Sequence, residues 1–457
     1  MTRNKFTNLL IVVLAFLAVV QTGGLWLSQT KSHNLFYSAI NSFLTASSNT
    51  TEYYRTIEAE KTAVGTGNNN YVLLYEKADK KADSTIKSAI GTAIEKGTVN
   101  SSGTIDWNIL SGKNIVLEFP FSVSSAEFSK GFPSASANND IPENFNCIVI
   151  TPSFSDSGTY VTFISTGEQS FVSLVIEDSA TNTALRSVID STPTDGLAYI
   201  SSAQSGFNIF KNNVFLPQWT ESEYIYPSVY PISTGTDKNG VFSSSEVKQM
   251  VHPLFPASGF DHSGIDGSGV HYFNSDEIVV KYYPNGILEY FNYKKSSEAQ
   301  TLASAYDACM KFIEKDESIK TDIFLADADV TTEGLIFKFD YSVNNIPVEL
   351  SSRLKEALGI ESAIEVVVTN NTVKKYRKYS CNFYENSEYD MSANVDFLTE
   401  INRVITEQSA DGEILQVDVI SLCYYADGNN VCSLKWRTDI GGSSYIGDTL
   451  TFADEGE

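Results

Sequence analysis

Residues 9–20 form an apolar block, LLIVVLAFLAVV, and no charged residue stands between Phe6 and Thr30. Taken from Asn8 to Leu27, the stretch has the length a helix needs to cross ~30 Å of hydrocarbon at ~1.5 Å per residue. Arg3 and Lys5 precede it, which by the positive-inside rule keeps Met1 in the cytoplasm and sends residues 31–457 outside. A cleaved signal peptide shares this layout, but no small-x-small site closes the block; Gln21-Thr22-Gly23-Gly24-Leu25-Trp26 follows instead. The pattern predicts a cytoplasmic leader and one uncleaved transmembrane anchor within residues 1–30.

Past a Ser/Asn/Thr-rich stretch at 31–51, the periods of strands and helices alternate. Residues 53–64 and 70–75, joined by GTGNN, predict a hairpin. After Asp83, Ile86, Ala89, Ile90, Ala93 and Ile94 recur at helical spacing until Gly97. A strand is expected at 114–119, stopped by Pro120, then strands at 147–151, 160–165 and 171–177 and a helix near 183–190. These make an N-terminal α+β domain at 31–204.

Farther on, 277–283 and 287–293 flank the tight-turn signal Pro284-Asn285-Gly286. Ser297 and Gln300 offer a capping box to a helix with Leu302, Ala305, Tyr306, Cys309, Phe312 and Ile313 on one stripe; strands at 323–330 and 335–343 follow. The order then recurs. Strands at 363–368 and 373–383 flank Asn370-Asn371, a helix carries Phe397, Ile401, Val404 and Ile405, and strands at 415–425 and 431–437 surround Asp427-Gly428. Hairpin, helix, hairpin, twice, predicts an internal repeat of two α+β domains, 205–354 and 355–457, each packing a helix on an antiparallel sheet. The fold class expected is α+β, with three outer domains behind one anchor.

Composition narrows the class without naming it. At 457 residues the chain is too long for one ordinary core, and 42% hydrophobic with 19% charged residues excludes a disordered or fibrous protein. Fifty-six Asp+Glu against 32 Lys+Arg leave a net charge of −24, which argues against binding nucleic acid or attaching to anionic lipid through a polybasic face. Five widely spaced Cys with no C-x-x-C exclude a disulfide-dense scaffold and a zinc ribbon.

Residues 252–271, HPLFPASGFDHSGIDGSGVH, hold three of the four histidines, with Asp261 and Asp266 among glycines. Imidazole and carboxylate suit zinc, but no pair has the i, i+4 spacing of a helical metal site, and an exposed loop before a strand needs the same Gly and Asp. The loop reading weighs more. Gly264, Gly267 and Gly269 have no feeding strand and no following helix with Lys, as a phosphate loop would require. Cys309 lies on its helix's apolar stripe and Cys381 ends a strand, so both read as core. No enzyme, metal or cofactor is predicted.

The leader, the span, a domain containing GKNIVLEFPFSV, and then VHYFNSDEIVVKYYPNGILEYFNY resemble the YycH family of Gram-positive bacteria. LIFKFDYSVNNIPVEL followed by AIEVVVTNNTVKKYRKYSCNF is also similar to the related YycI proteins, while the N-terminal domain and the length favour YycH. The resemblance implies a membrane-anchored accessory protein that binds a WalK (YycG) sensor histidine kinase, alongside a YycI-like protein, and sets its activity within a two-component system governing the cell wall. It carries no catalytic motif and no cofactor. The rival reading is a surface-anchored cell-wall or peptide-binding module whose Tyr-rich faces contact a ligand without touching a kinase.

Leu and Val gain nothing over lipid by meeting another helix, so partner contact within the span falls to polar and small positions. These are Asn8 near the inner interface and Gln21, Thr22 and Gly23 near the outer one, positions that suit plain interfacial residues equally well. Outside the membrane, Cys423 and Cys432 come opposite one another if Asp427-Gly428 is a two-residue turn. Their Cα atoms would then be ~4.5 Å apart, within disulfide reach. A longer loop through Asn429-Asn430 would shift the register by one and turn the thiols to opposite faces.

Overall fold

A computed structural model describes residues 54–448, apart from 76–79, 133–139, 156–157, 195–196, 219–223, 237–242 and 409–415, together with 451–452. The anchor region, with Asn8, Gln21, Thr22 and Gly23, lies outside the described residues. Among those described, no helix is long and apolar enough to cross a membrane.

The expected first hairpin is β1 (Lys61–Gly67) and β2 (Asn70–Leu74), with Asn68 and Asn69 at φ of 53° and 58° in the turn. Asparagine tolerates this left-handed region better than most residues with a side chain. The helical spacing after Asp83 becomes α1 (Lys80–Lys96), which buries Ile86, Ala89, Ile90, Ala93 and Ile94. There follow β3 (Thr98–Thr104), β4 (Lys113–Ser124), α2 (Ser125–Ser129), β5 (Asn144–Pro152), β6 (Gly158–Ser165) and β7 (Ser170–Glu177). Then come α3 (Ser179–Ser191), β8 (Tyr199–Ser201) and β9 (Phe215–Pro217). The strands form one nine-stranded sheet in the order β3-β7-β6-β5-β4-β1-β2-β8-β9, with α1 and α3 side by side against it.

Pro120 does not stop its strand, as the sequence led us to expect; β4 runs through it to Ser124. Pairing with β5 is irregular between Glu118 and Val123, and β1 reaches only to Lys61 opposite Glu118. Pro120 therefore sits where neither ladder requires its missing N–H.

The rest of the chain supplies β10 (Tyr224–Ser233), α4 (Ser244–Val251), β11 (His262–Ile265), β12 (His271–Asn274), β13 (Ile278–Tyr282) and β14 (Ile287–Asn292). Next are α5 (Leu302–Ile313), β15 (Asp322–Thr331), β16 (Gly334–Val343), β17 (Ile346–Leu350), α6 (Ser352–Leu358), β18 (Ile364–Thr369) and β19 (Thr372–Tyr379). Last come β20 (Cys381–Asn394), α7 (Phe397–Gln408), β21 (Val419–Ala426), β22 (Ser433–Ile440), β23 (Ser443–Gly447) and β24 (Thr451–Phe452). α5 buries the whole predicted stripe, from Leu302 to Ile313, against β16, β18 and β19. Each large apolar side chain fully removed from water there contributes about 1.5–3 kcal/mol.

Two local expectations shift. The helix cap is Thr301, in a reciprocal box with Ser304, and not Ser297 with Gln300. Gln300 is drawn away instead to the backbone of Val368 and Asn371. The boundary drawn at 354/355 also falls inside one sheet. Twelve strands run in the order β11-β12-β13-β14-β19-β18-β16-β17-β21-β22-β23, with β15 on β16. The hairpin β18–β19 inserts between β14 and β16, so strands from both sides of residue 354 alternate. Two separate sheets would each leave an edge of unpaired N–H and C=O groups there, and interleaving pairs them.

Candidate functional site

From His262 onward the His-rich segment is a hairpin where a loop was expected; residues 255–261 before it are irregular. β11 pairs with β12, His262 opposite Asn274 and Ile265 opposite His271. Asp266 closes the turn by accepting from the N–H groups of Ser268 (2.8 Å) and Val270 (3.0 Å). Those two bonds, Val270's first, hold its carboxyl below the usual range. His271 is buried, which lowers its pKa, whereas His262 is exposed on the outermost strand. His252 packs edge-on to Phe260, beside Phe255 and Phe273. Among the described residues no three His, Cys, Asp or Glu side chains are placed to hold a metal ion.

The cysteine register differs from the sequence expectation. Tyr425 pairs with Ser433, Tyr424 with Leu434 and Cys423 with Lys435, three positions beyond Cys432. The loop is wider because Asp427 accepts from the backbone N–H of Asn429 (3.0 Å) and from its side chain (2.7 Å), while Cys432 donates its N–H to Val229 O at 2.8 Å in an isolated bridge to β10. An odd shift turns Cys423 and Cys432 to opposite faces. All five cysteines are free and buried. Burial pushes the Cys381 and Cys432 thiols up to about 12, leaving too little thiolate for nucleophilic chemistry.

A group of charges lies where the nine-stranded sheet meets the twelve-stranded one. Lys61 on β1 contacts Glu118 on β4 at 2.9 Å. Both line a ≈ 60 Å³ cavity with Tyr75, Asn345, Pro347 and Ser421. Asn345, at φ 61° in the turn before β17, accepts from the Tyr75 N–H at 3.0 Å and so joins chain positions 270 residues apart. Arg437 bonds Asp439 (2.9 Å) and reaches Glu349 (3.5 Å), which takes Lys355 at 2.7 Å. Nearby, Asp340 accepts from the Ala363 N–H at 2.9 Å. Burial raises Asp340 to about 6 against the pull of Lys355, and burial likewise raises Glu60. This cluster can take up a proton; it offers no activated nucleophile.

A second cavity of ≈ 90 Å³ between α1, β4 and β15 is lined by Ile86, Ile90, Phe119, Phe128 and Phe324. Elsewhere, Lys378 and Asp316 pair at 2.7 Å with side chains 1% and 0% exposed, and Tyr376 OH donates to the same carboxylate oxygen at 2.7 Å. Sequence reasoning missed all these groupings. Lys378 and Asp316 are 62 residues apart, and no periodicity joins them.

No family model matches the chain, and no curated protein matches it. Among solved structures it is similar to the crystal structure of YycH from Bacillus subtilis, with 13% identity and a TM-score of 0.53 over 86% of this chain and 98% of that one. The fold is YycH-like.

Proposed function

We propose that the protein is a membrane-anchored, extracytoplasmic accessory protein that binds and modulates a WalK/YycG-like sensor histidine kinase of a cell-wall-controlling two-component system. The observation that supports this most is the YycH-like fold, spanning 98% of the matched structure. The sequence phrases that resemble YycH fall on the framework of that fold: GKNIVLEFPFSV is most of β4, and the stretch around Pro284-Asn285-Gly286 is β12 to β14.

On this reading residues 1–30 anchor the protein, residues 31–457 lie outside, and a YycI-like protein is a second partner. Asn8, Gln21, Thr22 and Gly23 meet the kinase's membrane helices, because small and hydrogen-bonding residues drive helix association in lipid. Copurification from detergent-solubilised membranes tests it. The full chain should bring down the host's WalK-like kinase, and Gln21→Leu with Gly23→Leu should cut the yield several-fold. An unchanged yield removes the span from the contact, and no kinase with the full chain removes the proposal.

A further inference from the structure

Residues 293–301 link β14 to α5 without regular structure, yet side chains pin them to the Asn370-Asn371 turn. Ser296 Oγ donates to Asn370 O (2.9 Å), and Asn370 Nδ2 returns a bond to Ser296 O (2.7 Å). Asn371 Nδ2 donates to Ala299 O (2.9 Å), and Lys374 Nζ donates to Lys294 O. What the pinned loop presents is basic and aromatic. Tyr293, 69% exposed, Lys294, Lys295, Ser297 and Lys374 line an open concavity of ≈ 570 Å³.

These lysines stand out in a chain of net charge −24. Neighbouring cations on β19 are matched: Lys375 to Glu333, Arg377 to Glu289 and Lys378 to Asp316. Lys294, Lys295 and Lys374 make no ion pair with any described carboxylate, Glu298 of the same loop included.

We propose that this concavity is a docking surface for an acidic peptide segment of a partner protein. Its volume suits several side chains in a row and exceeds what a single small anion fills. Tyr293 supplies the amphipathic wall common at protein interfaces, and a loop already fixed lowers the ordering cost of binding. Extended anionic partners fit less well. A membrane or a nucleic acid would bring extended fixed negative charge against a chain of net charge −24, whereas a short segment stays within about one Debye length, ~8 Å, of the lysines. This surface is independent of the kinase reading and fails or stands separately from it.

The test uses the full-length protein in detergent and a fluorescein-labelled octaglutamate peptide, with anisotropy read at low salt. Lys294→Glu/Lys295→Glu/Lys374→Glu should weaken binding at least tenfold, and Lys81→Glu/Lys96→Glu/Lys315→Glu, the same charge change on exposed lysines elsewhere, less than twofold. The corresponding Lys→Gln triple serves if the Glu triple melts early. Equal loss in both triples, no binding by the wild type, or patch-dependent binding to phosphatidylglycerol/phosphatidylcholine vesicles without peptide binding would each overturn the proposal.

Discussion

Lys378 and Asp316 form the most deeply buried ion pair among the described residues. Burial disfavours the Asp316 carboxylate, but Lys378 outweighs it and, with Ser318 and Tyr376, holds the pKa below the usual range. Lys378→Met would strand that carboxylate and should cost about 3–5 kcal/mol in chemical denaturation, while Lys378→Met with Asp316→Leu should recover much of the loss. Asp340 works in the opposite sense. Its folded pKa of about 6 stands above the ordinary 3.8, so its protonated form stabilises the fold fully below about pH 4, and that contribution is lost as pH rises through 6. Asp340→Asn should therefore be the more stable protein at pH 7.5, by on the order of 1–2 kcal/mol after allowing for partial solvent access, with the advantage gone at pH 4. Melting curves at the two pH values decide it. Neither residue was legible beforehand, because one acid among 56 gains its character only from what surrounds it.

At the scale of elements, turns and helices could be read locally, but their neighbours could not. The stripe from Leu302 to Ile313 and the Asn370-Asn371 turn, with φ of 50° and 55°, are set by residues within a few positions of one another. The Cys423–Lys435 register was misjudged because Asp427 and Val229, one local and one 203 residues from Cys432, together widen the loop. The placing of β18–β19 between β14 and β16 is likewise settled by which edges remain unpaired, something no window of sequence contains. Gly334 marks the closest point of that insertion. It has φ 140°, and a Cβ there would stand 2.3 Å from Val368 O. Gly334→Ala should lose several kcal/mol by strain and clash together, whereas Gly428→Ala, with nothing within 4 Å, should lose only its turn preference. Comparing their urea midpoints separates contact from conformation.

For the whole molecule, the apolar block at 9–20 and the acidic excess belong to the sequence, the YycH-like fold belongs to the structure, and the proposed function joins them. The fold class was legible because strands and helices announce themselves by period. The candidate surfaces were not, because the Lys61–Glu118 seam and the Lys294–Lys374 loop are assembled from distant segments. On the proposed function, the protein acts by changing a kinase and not by chemistry of its own. Autophosphorylation of the host's WalK-like kinase, reconstituted in proteoliposomes with and without the full chain, tests this most directly. The rate should change several-fold and saturate with added protein; a rate that stays the same while the protein is shown to share the bilayer would overturn the proposed function.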